Sequence, residues 1–121
     1  MPRKGPVEGS FVHVELISKD TSKTKAFYKK IFRWKFEEMP EMDYATFEAP
    51  TPPGGGVREP MKGESPGFSN YILVRSIDAT LKKIEKAGGK TVQPKMEIPG
   101  VGWWAAFKAP GGIVQALYQS K

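Results

Sequence analysis

The 121-residue sequence contains no cysteine and a single histidine, His13. The first absence excludes disulfides, thiolate metal sites and cysteine nucleophiles. The second means that any imidazole chemistry must be built on His13 with carboxylates beside it. No run of about 18 apolar residues occurs, so no membrane-spanning helix is expected. The first ten residues, MPRKGPVEGS, lack the apolar centre of a signal peptide, and a cytoplasmic location is the expectation. There is no GxxxxGK[ST] phosphate loop. The glycine run PPGGGV at 52–57 precedes no helix and reads as a turn. Arginine is scarce too, with four arginines against fifteen lysines in a chain of net charge +6. Those lysines are spread out, without the arginine clusters or aromatic–basic stripes of nucleic-acid readers. They read as a solvated basic surface, with attraction for anionic metabolites as the second reading. With 39% hydrophobic and 26% charged residues, the chain suits one globular domain over 1–121.

The stretch Phe11-Val12-His13-Val14-Glu15-Leu16 alternates as a strand does. It puts His13 and Glu15 on one face and Val12, Val14 and Leu16 on the other. Asp20 and Thr21 offer helix N-cap chemistry. Thr24, Phe27, Tyr28 and Ile31 then recur at helical spacing. WKFEE and YATFEAP read as strands, separated by turn residues Met39–Asp43, and GVRE reads as a short third strand. The polar segment PMKGESPG reads as a linker. The pattern then restarts. SNYILV is a strand, Ser76 an N-cap, and Ile77, Leu81 and Ile84 a helix closed by Gly88-Gly89. KTVQP, GWWAAFKAP and GIVQALYQ supply three more strands.

YATFEAP at 44–50 and WAAFKAP at 104–110 share Ala45/Ala105, Phe47/Phe107, Ala49/Ala109 and Pro50/Pro110. These matches fall inside matching element orders and indicate a duplication. The expected fold is α+β: two βαβββ modules forming a curled, mixed sheet around a cavity, with helices outside. Module one spans about 10–60, a linker about 60–67, and module two about 68–119. The inward faces would then present His13, Glu15, Tyr44, Thr46, Glu48, Ser69, Tyr71, Trp104 and Tyr118 to a small organic ligand. Val12, Val14, Phe47, Ile72, Val74 and Phe107 would pack under the helices.

The segments AFYKKIFRWKFEEMP, NYILVRSIDATLKKIEKAGGKTV and IPGVGWWAAFKAPGGIVQALYQ resemble the vicinal-oxygen-chelate superfamily of glyoxalases, bleomycin-resistance proteins and extradiol dioxygenases. The resemblance covers roughly residues 10–119. It implies homodimers, and in the metalloenzymes a divalent ion held by His, Glu or Gln on the first and last strands of each module. That ion binds substrate oxygens as a Lewis acid.

His13 falls at the first-strand ligand position of module one, and Ser69 at that of module two. Ala116, four residues after Gly112, falls at a last-strand position where the metalloenzymes carry glutamate. The remaining position lies in GGGVRE, at Gly56 or Arg58, or at Glu59 after a one-residue slip. The resemblance therefore implies an incomplete metal site, with His13 the metal ligand if a metal is bound and no cofactor otherwise. The expected function is binding of a small organic molecule, without membrane or nucleic-acid partners. The alternative is a divalent-metal lyase, isomerase or dioxygenase using His13 with Glu15 and Glu48. Without metal, His13 beside Glu15 could still act as an acid–base pair next to a carbonyl.

Overall fold

The computed structural model describes residues 6–42 and 44–121. Among the described residues, eight strands and two helices form two βαβββ repeats, the expected α+β class. The first repeat is β1 (Phe11–Ile17), α1 (Thr21–Phe32), β2 (Lys35–Met39), β3 (Tyr44–Glu48) and β4 (Gly55–Arg58). The second is β5 (Gly67–Leu73), α2 (Ile77–Lys86), β6 (Lys90–Ile98), β7 (Gly102–Lys108) and β8 (Val114–Ser120). Pro40–Met42 make a 3-10 turn, and Asp43 of the expected turn lies outside the described residues. The chain forms two compact units. One is His13–Ser69, which includes the polar 60–67 segment; the other is Asn70–Lys121 with residues 6–12.

In the first unit the strand order is β2-β3-β4-β1. β1 runs parallel to β4, whereas β4 with β3 and β3 with β2 are antiparallel. The register sets Glu15 opposite Gly56 and Leu16 opposite Val57 on one side of β4, with Thr46 opposite Gly56 on the other. Because side chains alternate across a sheet, Leu16, Phe47 and Val57 gather on one face. They form a buried cluster against which Tyr28, Trp34 and Phe36 pack. Trp34 stacks on Phe47 with ring centres 4.6 Å apart and planes within 7°. The opposite face carries His13, Glu15, Tyr44, Thr46 and Arg58.

Helix α1 begins at Asp20, whose carboxylate accepts the Lys23 N–H at 3.0 Å. It contributes no fully buried residue. Only part of the expected apolar stripe turns inward: Tyr28 packs on the cluster, while Phe27 and Ile31 remain 56% and 54% exposed. At 100° per residue, Thr24 and Tyr28 face the strands and Phe27 and Ile31 fall on the helix flank.

The second unit repeats the topology as β5-β8-β7-β6, with β5 and β8 parallel. Its core is aliphatic: Val74, Ile77, Leu81, Ala105 and Leu117 are buried, with Ile72, Ile84, Trp103 and Phe107 packed against them. Ser76 caps α2 by accepting the Ala79 N–H at 3.1 Å. Gly88, at φ +98°, takes the left-handed conformation just past the helix end. Val74, Phe47, Ile72 and Phe107 are thus core-side as expected, and Val12 and Val14 are half-buried.

Candidate functional site

The polar face of the first unit converges on one buried carboxylate. Glu15 is 5% exposed, and a charge so placed costs several kcal/mol unless it is paired. Both of its oxygens are engaged. Arg58 donates from Nε to Oε1 at 2.8 Å, and the Tyr44 hydroxyl donates to Oε2 at 2.8 Å. Arg58 is in turn held by a forked pair of bonds to Glu64, at 2.7 and 2.9 Å. Glu64 also accepts the Met61 N–H at 2.9 Å. The segment after β4 is thereby tied to the buried carboxylate.

His13 joins this chain through Tyr44, its Nε2 lying 2.6 Å from the phenol oxygen. The direct His13–Glu15 separation is 4.0 Å, so Tyr44 bridges the two. A phenol has one proton. With that proton given to Glu15, Tyr44 accepts from His13 and fixes the neutral imidazole with its proton on Nε2. Burial pushes the His13 pKa down, and the charge of Glu15 opposes this in part. The hydrogen bond from Arg58 holds the Glu64 carboxyl below its usual range. Arg58 is held more firmly cationic, chiefly by its hydrogen bond to Glu64.

Tyr44 can lie here because position 56 is glycine. A Cβ at Gly56 would sit 1.9 Å from the Tyr44 hydroxyl oxygen and 2.0 Å from Cζ. Glycine at a strand centre marks such close approaches.

The structure thus joins His13, Glu15 and Tyr44 directly. Thr46 lies on the same face of β3, half-buried, opposite Gly56. Glu48, at the end of β3, is exposed and opposite Lys35. Ser69 is half-buried on β5. The remaining expected residues belong to the second unit. There Tyr71 pairs with Ala116 and Trp104 with Tyr118, and the Tyr118 hydroxyl donates to the Val101 carbonyl at 3.1 Å. Trp104 takes the side opposite to core-packed Trp103, as the repeat with Tyr44 implies.

Arg58 as partner of Glu15, and Glu64 as partner of Arg58, were not legible beforehand. In the sequence Arg58 stands only as a candidate ligand position, and Glu64 lies within the polar linker segment. The available signal was alternation: Gly54, Gly56 and Arg58 fall on the face that carries Glu15, and a lone cation there implies a carboxylate.

Among the described residues no group of three His, Asp or Glu side chains is arranged to hold a metal ion. Glu15 is committed to Arg58 and Tyr44, Gly56 has no donor, and Ala116 is a buried methyl.

Residues 10–50 match a family model described as bleomycin resistance protein-like N-terminal. The chain is 28% identical over 134 residues to the "Putative glyoxylase CFP32" of Mycobacterium tuberculosis, covering 99% of this chain and 49% of the relative. It therefore spans about half the length of the curated relatives it matches. A glyoxalase/bleomycin resistance protein/dioxygenase superfamily member from Vibrio splendidus has a similar structure, with TM-score 0.69 and 12% identity over 92% of this chain and 100% of that one. A Mn(II)-bound glyoxalase from Novosphingobium aromaticivorans gives TM-score 0.65 and 20% identity, over 93% of this chain and 39% of that one. No described helix is long and apolar enough to cross a membrane.

Proposed function

Starting from a chain with the fold of the glyoxalase/bleomycin-resistance/dioxygenase superfamily, we propose that it binds a small organic molecule on the His13 face of its first unit, without the divalent metal of its metalloenzyme relatives. The observation that carries this reading is the commitment of both Glu15 oxygens, one to a guanidinium and one to a phenol. A carboxylate so engaged would have to give up two hydrogen bonds, one of them charge-assisted, before it could ligate a metal. What remains is a neutral imidazole with an oriented tautomer, a phenol and the Thr46 hydroxyl. These groups suit hydrogen bonding to a polar organic ligand, as in ordinary small-molecule pockets. The homodimer expected from the resemblance is part of the same reading, and light scattering on the purified chain tests it.

The competing reading is a divalent-metal lyase, isomerase or dioxygenase using His13 and nearby glutamates. It draws on His13 being held neutral by burial, the form a metal requires. Metal analysis of protein purified without chelators separates the two. The proposal expects sub-stoichiometric zinc, nickel, manganese and iron, and no thermal shift when each is added. Stoichiometric metal that disappears in His13→Ala overturns it. On the binding side, a thermal-shift screen of polar metabolites should give stabilisers whose effect is lost in both His13→Ala and Tyr44→Phe.

A further inference from the structure

At the end of β1 the first unit has a second recess, lined by none of His13, Glu15, Tyr44 or Arg58. Its volume is about 390 Å³, within the range of small-ligand sites. Leu16 and Ile17, only 4% and 6% exposed, contribute to its apolar lining with Tyr28 and Pro66. Phe68 also lines it and is 69% exposed.

The polar groups of the recess divide into two kinds. Ser18 and Thr24 bond each other through their hydroxyls at 2.6 Å. Asp20 caps α1 by accepting the Lys23 N–H. The ammonium groups of Lys19 and Lys23 make no ion pair among the described residues, unlike Lys25, which pairs with Glu38. Two cationic side chains and one carboxylate line the recess, leaving an excess of one positive charge.

We propose that this cleft binds a small apolar monoanion, an aromatic or short-chain carboxylate. Its hydrocarbon part lies against Leu16, Tyr28 and Phe68, and its charge lies at Lys19 and Lys23. Exposed ion pairs are individually weak, so the apolar contact supplies most of the affinity and the lysines supply the preference for an anion. The site is independent of the His13 face.

The test uses the full chain and two isosteric probes, 2-naphthoate and neutral 2-naphthamide, titrated by NMR. Naphthoate should bind about five- to tenfold tighter than the amide. In the double variant Lys19→Gln/Lys23→Gln the two probes should bind equally. Both side chains replaced are outside the core, and the Asp20 cap uses the backbone of Lys23, so circular dichroism should be unchanged. Phe68→Ser should weaken both probes alike, whereas His13→Ala and Lys82→Gln should change neither. Equal affinity of the native chain for the two probes would overturn the proposal. So would an anion preference that survives the double substitution, or no binding at millimolar concentration. Loss of binding in His13→Ala would overturn it by moving the probe to the other face, while leaving the His13 reading intact.

Discussion

Tyr44 and Trp104 hold matching places in the two repeats, one residue before Ala45 and Ala105, yet their surroundings diverge. In the first unit glycine at 56 leaves room for the Tyr44 ring, and its hydroxyl links His13 to a buried carboxylate. In the second unit the matching strand carries Ala116, paired with Tyr71 and Ala106. The cores differ in the same sense. Around the first, the rings of Trp34, Phe36 and Tyr28 pack on three buried side chains. The second buries aliphatic residues from both its helix and its strands. The first repeat places a buried carboxylate in a hydrogen-bonded network, and the second buries more aliphatic side chains.

This contrast predicts where the largest loss of stability lies. Ile77 is fully buried in α2. Ile77→Ala should cost about 3 kcal/mol, from lost transfer energy and the cavity left behind, as read by urea unfolding. A loss below about 1 kcal/mol would mean that the second core is not the tighter one.

The next largest effect tests the seat of Tyr44. Gly56→Ala places a methyl where the phenol lies, so Tyr44 must leave and two hydrogen bonds go with it. Overpacking and lost bonds together suggest about 2–3 kcal/mol. In a Tyr44→Ala background the same substitution should cost much less, because the clash is gone. Additive losses would show that the Gly56–Tyr44 contact is not the cause. Ala116→Gly, at the matching strand of the second unit, should cost about 1 kcal/mol.

A smaller effect separates the polar faces by pH. His13 is the sequence's single histidine, so an imidazole contribution can come only from the first unit. Burial lowers its pKa from 6.5 in the folded state. As pH falls through that range the unfolded chain takes up the proton first. Stability is therefore full above about 6.5 and declines as pH falls toward the folded value. Glu64 adds a second decline at lower pH, since its pKa is lowered from 4.5, chiefly by the hydrogen bond from Arg58. Unfolding measured across pH 4–7 should show the first decline in the native chain and not in His13→Gln. Tyr44→Phe should lower stability by about 1–2 kcal/mol, because it leaves Glu15 one donor short in a buried place. If His13→Gln retains the upper decline, the imidazole is not its source.

Most of the fold was legible because it rests on local signals. Alternation in FVHVEL, the caps Asp20 and Ser76, and the Ala-x-Phe-x-Ala-Pro repeat each specify their element without distant information. The site was only half legible. His13 and Glu15 share a face by period alone, and Tyr44 follows from its own strand. The Arg58–Glu15 bond joins residues 43 apart in sequence, and no local pattern encodes the register of β1 against β4. Helix α1 shows the other limit. Its spacing of Thr24, Phe27, Tyr28 and Ile31 reads as one face, but spacing cannot say which half of that stripe meets the strands.

The smallest predicted effect follows from that helix and closes the comparison. Ile31 has the residue type of Ile77 but is 54% exposed. Replacing it with alanine removes only partly buried surface, and alanine is the better helix former by a few tenths of a kcal/mol. The two terms oppose each other, so Ile31→Ala should move stability by less than about 0.5 kcal/mol. Measured at concentrations that keep the chain monomeric, a loss approaching that of Ile77→Ala would show that the flank of α1 is covered in the folded chain, and that the first unit has a second apolar contact its aromatic cluster does not reveal.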